Sequence, residues 1–146
     1  MPTVREILAR KGSHVHTIGR GATVLDAALL MNEHMVGSLV VIDDDRGVVD
    51  MFTERDVLRR VVGEQRDPAT TRVAEVMSHE VACATPATTI EEARGAMKNR
   101  RIRHLPLVDD DRRLMGIISI GDLNAYQTSD HEQTIYLLQE YLYGRV

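Results

Sequence analysis

VGSLVVIDDDRGVVDMFTERDV, residues 36–57, and IRHLPLVDDDRRLMGIISIGDL, residues 102–123, decide the fold once one is laid over the other. A shift of 66 positions aligns them without a gap. Leu39 meets Leu105, Asp43-Asp44-Asp45-Arg46 meets Asp109-Asp110-Asp111-Arg112, and Asp56 meets Asp122. The same shift carries the match back through Met31 and Met97, Ala27 and Ala93, and Thr23 and Thr89, to Val15 and Val81. Elsewhere like replaces like, as in Val24 with Ile90 and Thr53 with Ser119. The lead-ins VREIL (4–8) and VAEVM (73–77) also match, at a slightly different offset. A gapless match of this length marks an internal duplication.

Each copy predicts the same order of elements. A short extended piece (15–18; 81–84) precedes a helix that starts near Thr23 or Thr89. Thr followed three residues on by Asp26 or Glu92 is a capping box, in which side chain and backbone satisfy each other's orphan groups. Val24, Ala27, Ala28 and Met31 recur at helical spacing. GSLVVI or HLPLV then reads as a strand, DDDRG or DDDRR as an acidic turn, and VVDMFT or LMGIIS as a second strand. A second helix begins at Glu54 or Ile120. The fold class is therefore α/β of the α+β type, with two β-α-β-β-α repeats. One copy alone would expose an apolar sheet face, so two copies packed about a pseudo-twofold axis form one inseparable module. The repeats span 1–62 and 73–128, joined by the polar linker 63–72. Residues 129–146 read as a C-terminal helix and tail. Ser129 and Glu132 supply a cap, and Ile135, Leu138 and Leu142 share a face that packs on its own module or on a partner chain.

Composition narrows the function. Aromatics make up 3% of the chain, too few for the stacking platforms of single-strand binders, and the net charge is −4. No nucleic-acid partner is expected. No segment approaches the ~20 apolar residues of a membrane span, and no signal-like apolar core opens the chain, so a cytoplasmic protein is expected. The single cysteine, Cys83, allows no intramolecular disulfide.

The chemistry centres on Ser119-Ile120-Gly121-Asp122 and its counterpart Thr53-Glu54-Arg55-Asp56. Hydroxyl and acid at this spacing form a helix cap. The same groups, at the C-terminal end of a strand, also suit a ribose: a carboxylate accepts from two vicinal hydroxyls, as acidic residues do in dinucleotide folds. A phosphate would then need cations elsewhere, and KNRRIRH (98–104) offers them, with Arg103 and His104 leading into the apolar strand. The spacing leaves cap and ribose site open together.

The repeat, its strands VGSLVVID and IRHLPLVD, and its endings DMFTERDV and GIISIGDL resemble a tandem pair of cystathionine-β-synthase (CBS) domains, the Bateman module, in its stand-alone bacterial form. The resemblance covers nearly the whole chain. It implies a non-catalytic regulatory module, a homodimer, and clefts for adenosine-containing ligands such as AMP, ADP, ATP, S-adenosylmethionine or dinucleotides, with no required cofactor and a protein target still to be found. It implies a main cleft with Asp122 on the ribose and Ser119 and Gly121 beside it. Ile102, Arg103 and His104 join them, with Val36, Gly37 and Ser38 from the first copy and His16 and Thr17 from its extended segment. A second cleft would use Asp56, Thr53, Cys83 and Ala84. Gly116 has Asp50 as its counterpart, a departure that puts a charged side chain where the family has bare backbone. The Asp122 cleft is therefore expected to be the better site.

A different class remains open, a metal- or redox-responsive protein on the same scaffold using His14, His16 and Cys83. No hydrolase elbow or P-loop is present, so catalysis is not expected.

Overall fold

The computed structural model describes residues 2–12, 14–45, 47–77 and 82–127. In chain order these form α1 (Val4–Lys11), β1 (Thr17–Gly19), α2 (Val24–His34), β2 (Ser38–Asp43), β3 (Gly47–Thr53) and α3 (Glu54–Asp56). The last runs straight into a π-helical stretch, Val57–Val62. Then follow α4 (Val73–Val76), α5 (Ile90–Arg100), β4 (His104–Val108), β5 (Leu114–Ser119) and a helix over 120–127, here α6. The expected C-terminal helix lies outside the described residues.

The duplication is visible in three dimensions. β1 pairs in parallel with β2, and β2 pairs antiparallel with β3. β4 and β5 form the matching hairpin, and Ala84 adds a single parallel bridge to Leu107 where the first copy has β1. The expected extended segments are thus present, but the first begins two residues later than read and the second is reduced to one bridge. Both hairpins carry an irregularity at the same place, between Val41 and Ile42 and between Leu107 and Val108. Both long helices start on full capping boxes, Thr23 with Asp26 and Thr89 with Glu92. Both stop on a left-handed residue, Met35 and Arg101. Local sequence alone fixes the helix starts.

Packing does not respect the order of the chain. The first core gathers Val24, Ala27, Met31, Leu39, Phe52 and Val61 with Val73, Val76 and Met77. The second gathers Ile90, Ala93, Met97, Leu105, Leu107 and Ile118 with Val4 and Ile7. The lead-in helix of the first copy therefore packs on the second. Reciprocal backbone contacts lock this arrangement: Val4 N donates to Thr88 O at 2.9 Å, and Val73 N to Ala22 O at 2.8 Å. Each fully buried aliphatic or Phe side chain contributes about 1.5–3 kcal/mol, so α1 is held by its apolar face more than by its length. A third cluster of Val40, Val48 and Val108, flanked by Cys83 and Met51, joins the two sheets.

Gly116 is part of the same device. A Cβ there would run into Leu8 Cδ1 of α1. Overpacking against one movable side chain costs about 1–2 kcal/mol. Gly116→Ala should lose that much in urea denaturation, and Leu8→Ala in the same chain should remove most of the loss. Additive losses would show that Leu8 is not the obstacle.

Candidate functional site

Thr53 and Asp56 close a capping box: Thr53 N donates to Asp56 Oδ2 at 2.9 Å, and Asp56 N to Thr53 Oγ1 at 3.2 Å. Ser119 and Asp122 do the same, at 2.8 Å and 3.0 Å. The cap is therefore made in both copies, and each carboxylate sits at a strand-to-helix junction with its position fixed by its own backbone. What else each one meets is different.

Asp122 is met by Lys11 of α1. The ammonium donates to Asp122 Oδ2 at 2.6 Å and to Ile117 O at 3.0 Å. Burial alone would raise the Asp122 pKa, but the hydrogen bonds from Lys11 and Ser119 and the Lys11 charge hold it below the usual carboxylate value. His104 lies within reach of the same field. Burial, then Lys11 and Arg103, lower its pKa, with Asp122 opposing. A ribose at Asp122 would have to share the carboxylate with Lys11, a residue that sequence reasoning did not single out.

Asp56 opens onto a cavity of about 530 Å³, within the range of small-molecule sites. The first copy supplies Asp50, Met51, Thr53, Glu54, Arg55, Asp56, Arg59 and Arg60; the second supplies Ala82 and residues 100–104. Ile102, Arg103 and His104 thus line a cavity with Asp56, and they also adjoin the Asp122 cap, since Ile120 N donates to Arg103 O at 2.8 Å and His104 pairs with Ser119. They reach the cavity because their strand starts beside the other copy's helix. Cys83 and Ala84, expected in this cleft, do not line it. Cys83 packs between the sheets and Ala84 is buried in the second core, which leaves Ala82 at the wall.

Thr17 and Ser38 open the first copy's β1 and β2, and His16, Val36 and Gly37 immediately precede those strands. Gly37 O accepts from Glu54 N at 2.9 Å, Ser38 pairs with Thr53, and Thr17 with Val40. Gly121 lies in the first turn of α6, near Ser119 Oγ.

The cavity's electrostatics come from six arginines, Arg55, Arg59, Arg60, Arg100, Arg101 and Arg103, against three acids. Arg60 Nε lies 3.9 Å from Asp56 Oδ1, and its Nη1 donates to Val76 O at 2.9 Å. Asp50, at 3% exposure, is the buried acid. Its Oδ2 has no hydrogen-bond partner among the described residues. Burial pushes its pKa up to about 7, with Asp56 adding and the Met51 amide and Arg60 opposing.

Of the residues of the metal or redox alternative, His14 and His16 are in contact. His16 stacks on His34 at 3.9 Å and meets His14 edge-on at 4.7 Å. Among the described residues no group of three or more potential metal ligands is assembled. Burial raises the Cys83 thiol above its ordinary value, which disfavours the reactive thiolate.

Comparison with known proteins accords with this geometry. The CBS domain family profile matches residues 4–63 and 73–128. A mitochondrial CBS domain-containing protein of Arabidopsis thaliana, CBSX3, is 33% identical over 84% of this chain. The match spans 61% of that relative's length. The solved structure of a protein with CBS domains from Burkholderia ambifaria is 37% identical with a TM-score of 0.81, covering 88% of this chain and 95% of that one. Hypoxic response protein I, a Mycobacterium tuberculosis protein solved with two coordinated zinc ions, is 27% identical, TM-score 0.75, covering 86% and 99%. The CBS-domain pair of MJ0100 was solved with 5′-methylthioadenosine and S-adenosylmethionine. It shares the fold at 21% identity and TM-score 0.77, covering 89% and 98%.

Proposed function

Because this chain belongs to the CBS-domain family, matched over both of its repeats, we propose that it is a regulatory, non-catalytic module binding an adenosine-containing ligand between those repeats. The observation that carries the reading is the cavity in which Asp56, at a capped strand-to-helix junction, faces half-buried Ile102 and His104 under an arginine rim. Asp56 accepts from the ribose hydroxyls, the half-buried walls take the base, and the arginines take phosphate. The adenosine compounds held by the MJ0100 pair support the ligand class.

The ligand acts by touching both copies. It bridges the α3 junction of the first and the start of β4 in the second, so it favours whichever arrangement of the repeats closes on it. A partner protein reads that arrangement. The exposed Leu25, Leu29, Met35, Leu58 and Val62, on α2 and the π-helical stretch, supply an apolar surface for a homodimer. No helix among the described residues is long and apolar enough to cross a membrane.

Calorimetric titration with AMP, ADP, ATP, S-adenosylmethionine and zinc tests the reading. At least one adenosine compound should bind, and Asp56→Ala should weaken it about tenfold, the effect of losing a hydrogen bond to a charged group. If zinc alone binds, the metal reading replaces this one.

A further inference from the structure

The 66-residue relation compares the cavity with its counterpart. Arg55, Arg59, Arg60, Arg100, Arg101 and Arg103 correspond to Gly121, Ala125, Tyr126, His34, Met35 and Gly37. Asp50 corresponds to Gly116. Each copy builds the same hairpin and helices with a different residue at the corresponding position, so the fold does not require these seven. They share the lining of one cavity, and they differ in exposure. The arginines are exposed, Ala82, Ile102 and His104 are half-buried, and Asp50 is buried.

We infer that Asp50 is a ligand contact at the closed end of the cavity, accepting a hydrogen bond from the exocyclic amine of a purine base whose phosphates meet the arginine rim. The inference rests on the nucleotide reading above and adds its orientation and its base selectivity. Oδ2 is unpartnered in a side chain more than nine-tenths buried, so a donor entering the cavity satisfies a group that is otherwise stranded. An anionic end would meet a carboxylate there, and a cationic end would have to enter past six arginines. A neutral amine meets neither obstacle. The negative end then faces outward, where guanidinium groups bind phosphate by paired hydrogen bonds.

The test compares ATP with purine riboside 5′-triphosphate, which lacks only the amine, by calorimetry at pH 8. At that pH the Asp50 carboxyl is ionised; Asp56 and Arg60 act on it from the adjoining helix, and its charge is felt at Cys83. The wild type should prefer ATP about tenfold, the usual scale for one buried hydrogen bond. Asp50→Ala should bring the ratio close to one by weakening ATP alone. Asp50→Gly, which installs the residue of position 116, serves as a second variant without an acceptor. Asp50→Asn keeps an acceptor oxygen and should keep part of the preference. Adenosine should bind at least tenfold more weakly than ATP. An unchanged ratio in the Ala and Gly variants, or equal binding of adenosine and ATP, overturns this orientation while leaving nucleotide binding intact. If no purine compound binds the wild type, both readings fall.

Discussion

Asp50→Asn should gain about 2–3 kcal/mol of stability over the wild type as the pH is raised from 5 to 8. The carboxyl's ordinary pKa is 3.8, and burial pushes it to about 7 in the folded protein. The folded state therefore holds this proton more tightly than the unfolded chain does. Stability from the group is fully present below 3.8 and is lost as the pH climbs to about 7. Each pKa unit is worth about 1.4 kcal/mol, and pH 5 to 8 covers the upper two units or so of the window. Asparagine keeps a similar shape and carries no proton to lose. In a chain of this size the difference corresponds to roughly 5–10 °C in Tm. Urea titrations of both proteins at the two pH values measure it. Parallel pH profiles would mean that the carboxyl is solvated in the folded state.

The sign of that effect bears on function. Above neutral pH the residue costs stability, and nothing among the described side chains repays it. Arg60 and the Met51 amide lower its pKa but do not overcome burial. A group of this kind is sustained when a bound partner satisfies it, which is how a binding site trades stability for affinity. The sequence shows Asp50 only as a charge in place of glycine, and so as an obstruction. The structure shows a side chain with a cavity in front of it.

Local and distant information divide the same way elsewhere. The caps at Thr23, Thr89, Thr53 and Ser119 are legible because each is closed within four residues. The hairpins are legible because turn and alternation lie together in sequence. The 66-residue register states which residues are equivalent. It does not state which copy's strand faces which copy's helix. Hence the register places Ile102, Arg103 and His104 beside Ser119 and Asp122 but does not show that they also line a cavity with Asp56. The packing of α1 on the second core is hidden for the same reason, and with it the Lys11–Asp122 ion pair. Arg55, Arg59 and Arg60 lie four and one residues apart in TERDVLRR, but become a rim only beside residues 100–103.

Gly47→Ala should cost about 3 kcal/mol, the sum of a left-handed non-glycine residue and a backbone clash. Gly47 has φ of 74°, in the region where a Cβ meets its own carbonyl neighbours. In this position the added Cβ would also overlap the Arg112 carbonyl oxygen. That oxygen is not free to retreat. It accepts from Val48 N at 3.3 Å, while the Arg112 guanidinium donates back to Val48 O at 3.2 Å. Arg112 is itself left-handed, with φ of 62°, and its amide is tied to Asp109 O at 3.0 Å. The two acidic turns are interlocked at this point, beside the cluster of Val40, Val48 and Val108 that joins the sheets. The contrast with Gly116 is instructive, since the obstacle there is the tip of a leucine that can rotate away. Gly95→Ala provides the opposite control: inside α5, with nothing within 4 Å of the new Cβ, it should stabilise by about 0.5–1 kcal/mol. Chemical denaturation of the three alanine variants against the wild type separates these cases. A Gly47→Ala protein within 1 kcal/mol of wild type would show that the turns part without cost.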